Sequence, residues 1–170
     1  RHEAWECLCA FISSSNNNIP RIIQIVHKWC EHFSEPLLSH TYPEGARLCT
    51  TFHPKKQDFS DVADKPFTIT YRPFPPPTTL AQPDVESKLR ALGFGYRAKF
   101  LTRTAQALCE KVQCGSDAKP ADINEAVYKH LLSLRSQTYE DARSELMTLP
   151  GIGPKVAEYV NMPLHSVAFF

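Results

Sequence analysis

The chain has 170 residues, 42% of them hydrophobic and 22% charged, which is ordinary for a globular protein with a single core. No apolar run is long enough for a membrane span, and the first residues lack the apolar core of a signal peptide. The six cysteines have no regular spacing, which favours reduced thiols and an intracellular protein. With a net charge of +1, bulk charge gives no support for a nucleic-acid partner.

Two amphipathic helices are predicted at the start of the chain. One face of the first helix is apolar and holds Trp5, Leu8, Cys9 and Ile12. The polar run from Ser13 to Asn18 competes with helix formation, because its side chains can bond to the backbone. Asn18 is then expected to cap a second helix with Pro20 in its first turn. The apolar stripe of that helix holds Ile22, Val26, Trp29 and Phe33.

Helical periodicity is lost between Ser34 and Pro83, where six of the 14 prolines lie from Pro66 to Pro83. This composition predicts a long irregular insertion, over about residues 35–83, with one short strand at Phe67–Tyr71.

Helices return after the insertion. Helical spacing resumes over 85–92, breaks at Gly93-Phe-Gly95 and continues in a longer helix that Tyr96 opens. Pro120 is expected to start the next helix and Thr138 to cap the one after it. The predicted fold class is all-α, with a helical core over 3–34 and 84–162.

A basic run covers residues 85–111, in which six basic residues face two acidic ones. On its own, such a run is most simply interpreted as the solvated face of a helix.

The segment Leu149-Pro-Gly-Ile-Gly-Pro-Lys-Val-Ala157 predicts a hairpin between two helices over residues 149–157. The two glycines allow a tight turn with positive φ, and backbone N–H groups without neighbouring side chains can approach an anion closely. A DNA phosphate suits this geometry, and a plain helix–helix turn is the alternative. Lys155 lies in the first turn of the second helix, where the helix dipole and partial burial would favour a neutral, nucleophilic amine. A simple phosphate contact by Lys155 is equally compatible with the motif.

Three motifs in series resemble one family. Gly151-Ile-Gly-Pro-Lys-Val-Ala157 is similar to the helix-hairpin-helix of the 8-oxoguanine DNA glycosylases, with Lys155 at the position of the Schiff-base lysine. The segment from Phe11 to Ile22 resembles the asparagine-rich loop of that family, and Gly93-Phe-Gly-Tyr-Arg-Ala98 resembles its glycine-tyrosine-arginine motif. The resemblance covers most of residues 3–34 and 71–160.

The resemblance implies a base excision repair enzyme that is both a DNA glycosylase and an AP lyase. Lys155 would displace 8-oxoguanine opposite cytosine, and Asn16 and Arg21 would contact the cytosine left unpaired. Tyr96 would wedge into the duplex and Arg97 would hold the opposite strand. Further DNA contacts are expected at three hairpin positions: Gly151, Gly153 and Val156. The implied setting is a nuclear monomer on damaged double-stranded DNA, with no membrane, cofactor or metal.

The chain also departs from the family. Active members carry an aspartate after the hairpin, whereas Glu158 is the sole acid among the 15 residues that follow Lys155. Tyr159 replaces a cysteine of the base pocket, and Pro163 is expected to end the last helix early. The family's amino-terminal β-sheet domain has no counterpart in this sequence. Conversely, residues 45–66 have no counterpart in the family. We therefore expect an incomplete glycosylase core with doubtful activity.

Two other interpretations remain open at this stage. A non-catalytic module that binds damaged DNA would keep the hairpin and the wedge, and a shortened product would bind nothing stably. An endonuclease III-like glycosylase fits less well, because it needs four cysteines after the hairpin for its iron–sulfur cluster and none follow Lys155.

Overall fold

The computed structural model describes residues 3–46, 65–112 and 117–165, and for 162–165 it describes the backbone alone. Within these ranges the chain forms eight α-helices and one small sheet, which confirms the predicted all-α class. The helices are α1 (Ala4–Ser14), α2 (Ile19–Phe33), α3 (Pro77–Leu80), α4 (Val85–Ala91), α5 (Arg97–Lys111), α6 (Pro120–Ser133), α7 (Tyr139–Met147) and α8 (Pro154–His165). A 3-10 turn, Leu134–Ser136, follows α6, and the strands are β1 (Leu38–Tyr42) and β2 (Phe67–Tyr71). None of the described helices is both long and apolar enough to cross a membrane.

The chain divides into two compact units, one of Arg1–Asn16 with Pro76–Phe170 and the other of Asn17–Pro75. In the first unit, α1 packs against α5, α6 and α8, and α7 packs against α8. The apolar face predicted for α1 is buried at all four of its positions, Trp5, Leu8, Cys9 and Ile12. This apolar face of α1 therefore belongs to the core that α1 forms with α5, α6 and α8.

The ends of these helices follow local sequence signals. Pro120 begins α6, and Thr138 caps α7, where its hydroxyl accepts the Asp141 N–H at 3.2 Å. The expected early stop at Pro163 was wrong, because α8 continues to His165. A proline removes one backbone donor and bends a helix, but it does not always end it.

The second unit combines α2 with the sheet. The Asn18 side chain caps α2 by accepting the Arg21 N–H at 3.0 Å, as the sequence predicts. The strand predicted at Phe67–Tyr71 is present, but β1 pairs with it in antiparallel register from Leu38 opposite Tyr71, so the insertion is not irregular throughout. Hydroxyl pairs across the strands, such as Thr41 with Thr68, hold this register. Most of the segment 45–66 lies outside the described residues.

Candidate functional site

The predicted hairpin joins α7 to α8. Helix α7 ends at Met147 and α8 begins at Pro154, within a few residues of both predicted bounds. The first helical bond of α8 runs from the Ala157 N–H to the Gly153 carbonyl at 2.9 Å. The N–H groups of Lys155 and Val156 precede this bond, so they have no partner within the helix. With the dipole of α8 behind them, these donors suit an anion.

The two glycines of the hairpin have different roles. Gly151 has a φ of +81°, and a Cβ there would lie 2.5 Å from the Cβ of Phe100 on α5. Gly153 has no positive φ, which corrects the expectation for that position, and a Cβ there would have no atom within 4 Å. Gly151 therefore lets the turn pack against α5, whereas Gly153 keeps the surface in front of the N–H groups open. The Thr104 hydroxyl on α5 also holds the turn, donating to the Pro150 carbonyl at 2.7 Å.

Lys155 stands at the start of α8 and is exposed. The partial burial expected for it was wrong, because its position in the first turn faces away from the core that Val156 and Ala157 join. Its Nζ lies 5.8 Å from the ring centroid of Tyr159, one turn further along α8. The exposed amine is therefore accessible to an incoming ligand.

Tyr159 forms a stacked pair that the sequence did not indicate. Its ring lies parallel to that of Phe11 on α1, with the centroids 5.7 Å apart and the planes at 6°. The Tyr159 side chain is 44% exposed. A flat aromatic surface thus lies beside the Lys155 amine.

The predicted asparagine loop and the tyrosine-arginine pair meet in the first unit. The hydroxyl of Tyr96 donates to the Ser15 carbonyl at 3.2 Å. Arg97 Nε donates to the same carbonyl at 3.0 Å, and Arg97 Nη2 donates to the Asn16 carbonyl at 2.8 Å. Asn16 has a φ of +48°, in the left-handed region that asparagine tolerates better than most residues.

Arg97 is buried, whereas a side chain that contacts a DNA strand directly is expected to be exposed. Its side chain is 4% exposed, and its guanidinium lies 4.7 Å from the centroid of the Tyr96 ring. Because it donates to the carbonyls of the two residues that follow α1, it holds the loop that presents Asn16. Tyr96 remains 47% exposed, as a wedge requires.

Replacing Arg97 with alanine is expected to lower the free energy of unfolding by about 2–4 kcal/mol, because charged hydrogen bonds to two carbonyls are lost. Urea unfolding followed by circular dichroism measures this change. The matched control is Arg90→Ala, which removes an arginine whose side chain is 49% exposed in a pair with Glu86. That control should change stability by less than about 0.5 kcal/mol. Equal effects of the two substitutions would contradict the role given to Arg97.

The remaining predicted residues are placed as follows. Val156 is 8% exposed, so its side chain packs inward and only its backbone N–H can meet DNA. Arg21 is exposed in the first turn of α2, in the second unit. Sequence periodicity puts Phe100 on the apolar stripe of α5 but does not reveal that it lies under Gly151, because no local signal links residues so far apart in the chain.

Comparison with known proteins identifies the family of this chain. Residues 9–150 match the HhH-GPD superfamily of base excision DNA repair proteins, and the chain belongs to this superfamily. The match ends at Pro150, immediately before the two hairpin glycines.

Particular relatives narrow the comparison. The chain is 35% identical over 159 residues to the N-glycosylase/DNA lyase of Saccharomyces cerevisiae, covering 93% of this chain and 34% of the relative. It is 36% identical over 157 residues to the N-glycosylase/DNA lyase OGG1 of Arabidopsis thaliana, covering 92% of this chain and 32% of the relative. The chain thus spans about a third of the length of these relatives.

Solved structures agree on the fold. The structure of MBOgg1 in complex with a low-affinity DNA ligand matches with a TM-score of 0.61 and 25% identity, covering 95% of this chain and 41% of MBOgg1. The apo 8-oxoguanine glycosylase/lyase of Clostridium acetobutylicum matches with a TM-score of 0.62 and 21% identity, covering 96% of this chain and 42% of that enzyme. At this identity the second match bears on the fold alone.

Proposed function

We propose that this chain carries out base excision as a DNA glycosylase and AP lyase on 8-oxoguanine opposite cytosine in nuclear DNA, with Lys155 as the nucleophile. One observation carries the proposal: the exposed Lys155 amine stands at the helix N-terminus whose open N–H groups suit a DNA phosphate. A lysine held beside a bound phosphate is also held beside the sugar attached to it. The names of the yeast and Arabidopsis relatives support the same activity.

The chemistry proposed for Lys155 proceeds through an imine. The Nζ lone pair forms a bond to C1′ of the damaged nucleotide as the bond to the base breaks, and the departing base takes up a proton that Nζ gives up. The C1′–O4′ bond then breaks, O4′ takes a proton from solvent, and a protonated Schiff base forms between Nζ and C1′. Loss of a proton from C2′ breaks the C3′–O bond and releases the 3′ phosphate.

We propose that three further residues contact the DNA. Tyr96 would fill the duplex where the base leaves it, and the Asn16 side chain is exposed at the loop that Arg97 holds. We also propose that Arg21 contacts the cytosine left without a partner. The protein would act as a monomer on double-stranded damaged DNA.

Borohydride trapping tests the proposal. The 170-residue chain is mixed with a duplex that contains an abasic site opposite cytosine, and borohydride is added. The aldehyde of the abasic site condenses with Nζ and releases water, and hydride then reduces the imine to a stable amine. A covalent protein–DNA complex is expected on a denaturing gel. A folded sample that binds the duplex but gives no complex would overturn the proposal.

A second candidate function is a non-catalytic module that binds damaged DNA. It is favoured by one contact: Glu158, the acid nearest to Lys155 along α8, lies 3.6 Å from Arg143. Its carboxylate therefore has a competing cation while a sugar cation develops in base excision. As an enzyme, the chain is for the same reason expected to excise 8-oxoguanine far more slowly than it forms an imine with an abasic site. Binding of the abasic duplex with neither reaction would favour the non-catalytic module. Robust excision would remove the argument for the second candidate.

Arg21→Ala tests the cytosine contact. If Arg21 donates to the edge of the cytosine, its loss should reduce the preference for cytosine over the other opposite bases by about 1–3 kcal/mol. The measurement is the affinity for duplexes that carry an abasic analogue opposite each of the four bases. Equal losses for every opposite base would make Arg21 a phosphate contact instead.

A further inference from the structure

We propose that Lys99 and Arg103 on α5 form a second DNA-binding element, a stripe that holds two backbone phosphates next to the wedge. Tyr96, Lys99 and Arg103 are separated by three and four residues, so they lie on one face of the helix. All three are exposed, and the rise of an α-helix places Lys99 and Arg103 about 6 Å apart along the axis. The inference rests on the proposed function, because it needs DNA at Tyr96.

Lys99 and Arg103 differ from three other basic residues of the run 85–111, which form ion pairs with carboxylates. Lys88 pairs with Asp84 at 2.5 Å, and Arg90 pairs with Glu86 at 2.8 Å. Lys111 pairs with Glu145 at 2.6 Å across to α7. In the described part of the chain, neither Lys99 nor Arg103 has an ion-pair partner. A phosphate-binding stripe requires cations that no carboxylate neutralises, and Lys99 and Arg103 meet this requirement. An ordinary solvated surface would not require the paired and unpaired cations to lie on different parts of the run.

The stripe borders the hairpin. Phe100, which follows Lys99, lies under Gly151, and Thr104, which follows Arg103, donates to the Pro150 carbonyl. The face of α5 that holds the turn is therefore adjacent to the face that carries the two cations. A duplex that meets the hairpin and Tyr96 at once would also pass along this stripe. Glu110 lies seven residues beyond Arg103 on the same face of α5. Because its carboxylate would repel a phosphate, the stripe ends at Arg103.

The overall charge explains why such a stripe matters. At a net charge of +1, the chain has no general field to attract DNA, so affinity must come from local contacts. Each lysine or arginine that neutralises a phosphate releases counterions, which makes binding weaken as salt rises.

The test measures how affinity depends on salt for Lys99→Gln and Arg103→Gln, with a duplex that carries a reduced abasic analogue opposite cytosine. The slope of log affinity against log salt concentration is negative, because binding weakens as salt rises. Each substitution should make this slope shallower by about 0.9, and the double variant should make it shallower by about 1.8. The matched control is Lys129→Gln, which removes the same charge from α6, where the side chain is 74% exposed. That control should leave the slope unchanged. Slopes that change no more for the stripe variants than for Lys129→Gln would overturn the proposal.

A second measurement separates this proposal from the proposed function. At low salt and saturating DNA, Lys99→Gln and Arg103→Gln should still give the borohydride-trapped complex, because neither residue takes part in the imine chemistry. Trapping by the wild-type chain, with an unchanged salt slope in both variants, rejects the stripe and keeps the enzyme. Wild-type binding without trapping, but with reduced slopes in the variants, keeps the stripe and rejects the enzyme.

Discussion

Changing Lys155 to glutamine should abolish the borohydride-trapped complex with abasic DNA. Glutamine has nearly the length of lysine but no nucleophilic nitrogen, so no imine can form at C1′. The loss should be on the order of a hundredfold or more, as expected when a nucleophile is removed. DNA affinity should fall only modestly, because the backbone N–H groups of the hairpin remain.

Lys129→Gln is the control for this experiment. Lys129 is exposed on α6, where it pairs with Glu125 at 2.7 Å, so its loss removes the same charge without touching the site. That variant should be trapped as efficiently as the wild-type chain. Persistent trapping by Lys155→Gln would mean that another amine is the nucleophile, and mapping the cross-linked residue would identify it.

Gly151→Ala is expected to destabilise the protein by about 2–5 kcal/mol. A φ of +81° costs an L-residue about 1–2 kcal/mol, and crowding in a packed region adds about 1–3 kcal/mol. The new methyl group would lie 2.5 Å from the Phe100 Cβ, which belongs to the base of that side chain and cannot swing away as its tip could. Thermal or urea unfolding measures the effect.

Gly153 supplies the comparison, because a Cβ there meets nothing within 4 Å. Gly153→Ala should change stability by less than about 1 kcal/mol. The larger Gly153→Val should leave the fold intact by circular dichroism while weakening binding to duplexes of every sequence, because its side chain blocks the approach of a phosphate. If Gly151→Ala were as stable as Gly153→Ala, close packing against Phe100 would not be the reason that the turn needs glycine at position 151.

Much of the helical fold could be predicted because its signals are local. Periodicity located the buried face of α1, and the caps at Asn18 and Thr138 fixed the starts of α2 and α7. Strand β1 escaped notice because its exposed positions do not alternate in polarity, and its pairing with β2 depends on residues about 30 positions away. Pairing across such a separation is not encoded in any short window of sequence.

The site was predictable in its motifs but less so in its contacts. The motifs placed Lys155 at a helix start and left Tyr96 exposed, both of which the structure has. They did not reveal that Arg97 is buried against the end of α1, or that Tyr159 stacks on Phe11. These contacts depend on how α1, α5 and α8 pack together, and a single sequence does not specify that packing.

The bond between Arg97 and the Ser15 carbonyl joins positions 82 residues apart, so it closes a long loop of chain. The entropy lost on closing a loop grows only with the logarithm of its length, and doubling the length costs about 0.6 kcal/mol. Lengthening or shortening the chain between β1 and β2 by a dozen residues would therefore barely change the free energy of forming this contact. That tolerance makes the segment a place where sequences can gain or lose residues over evolution while the geometry of the asparagine loop is retained.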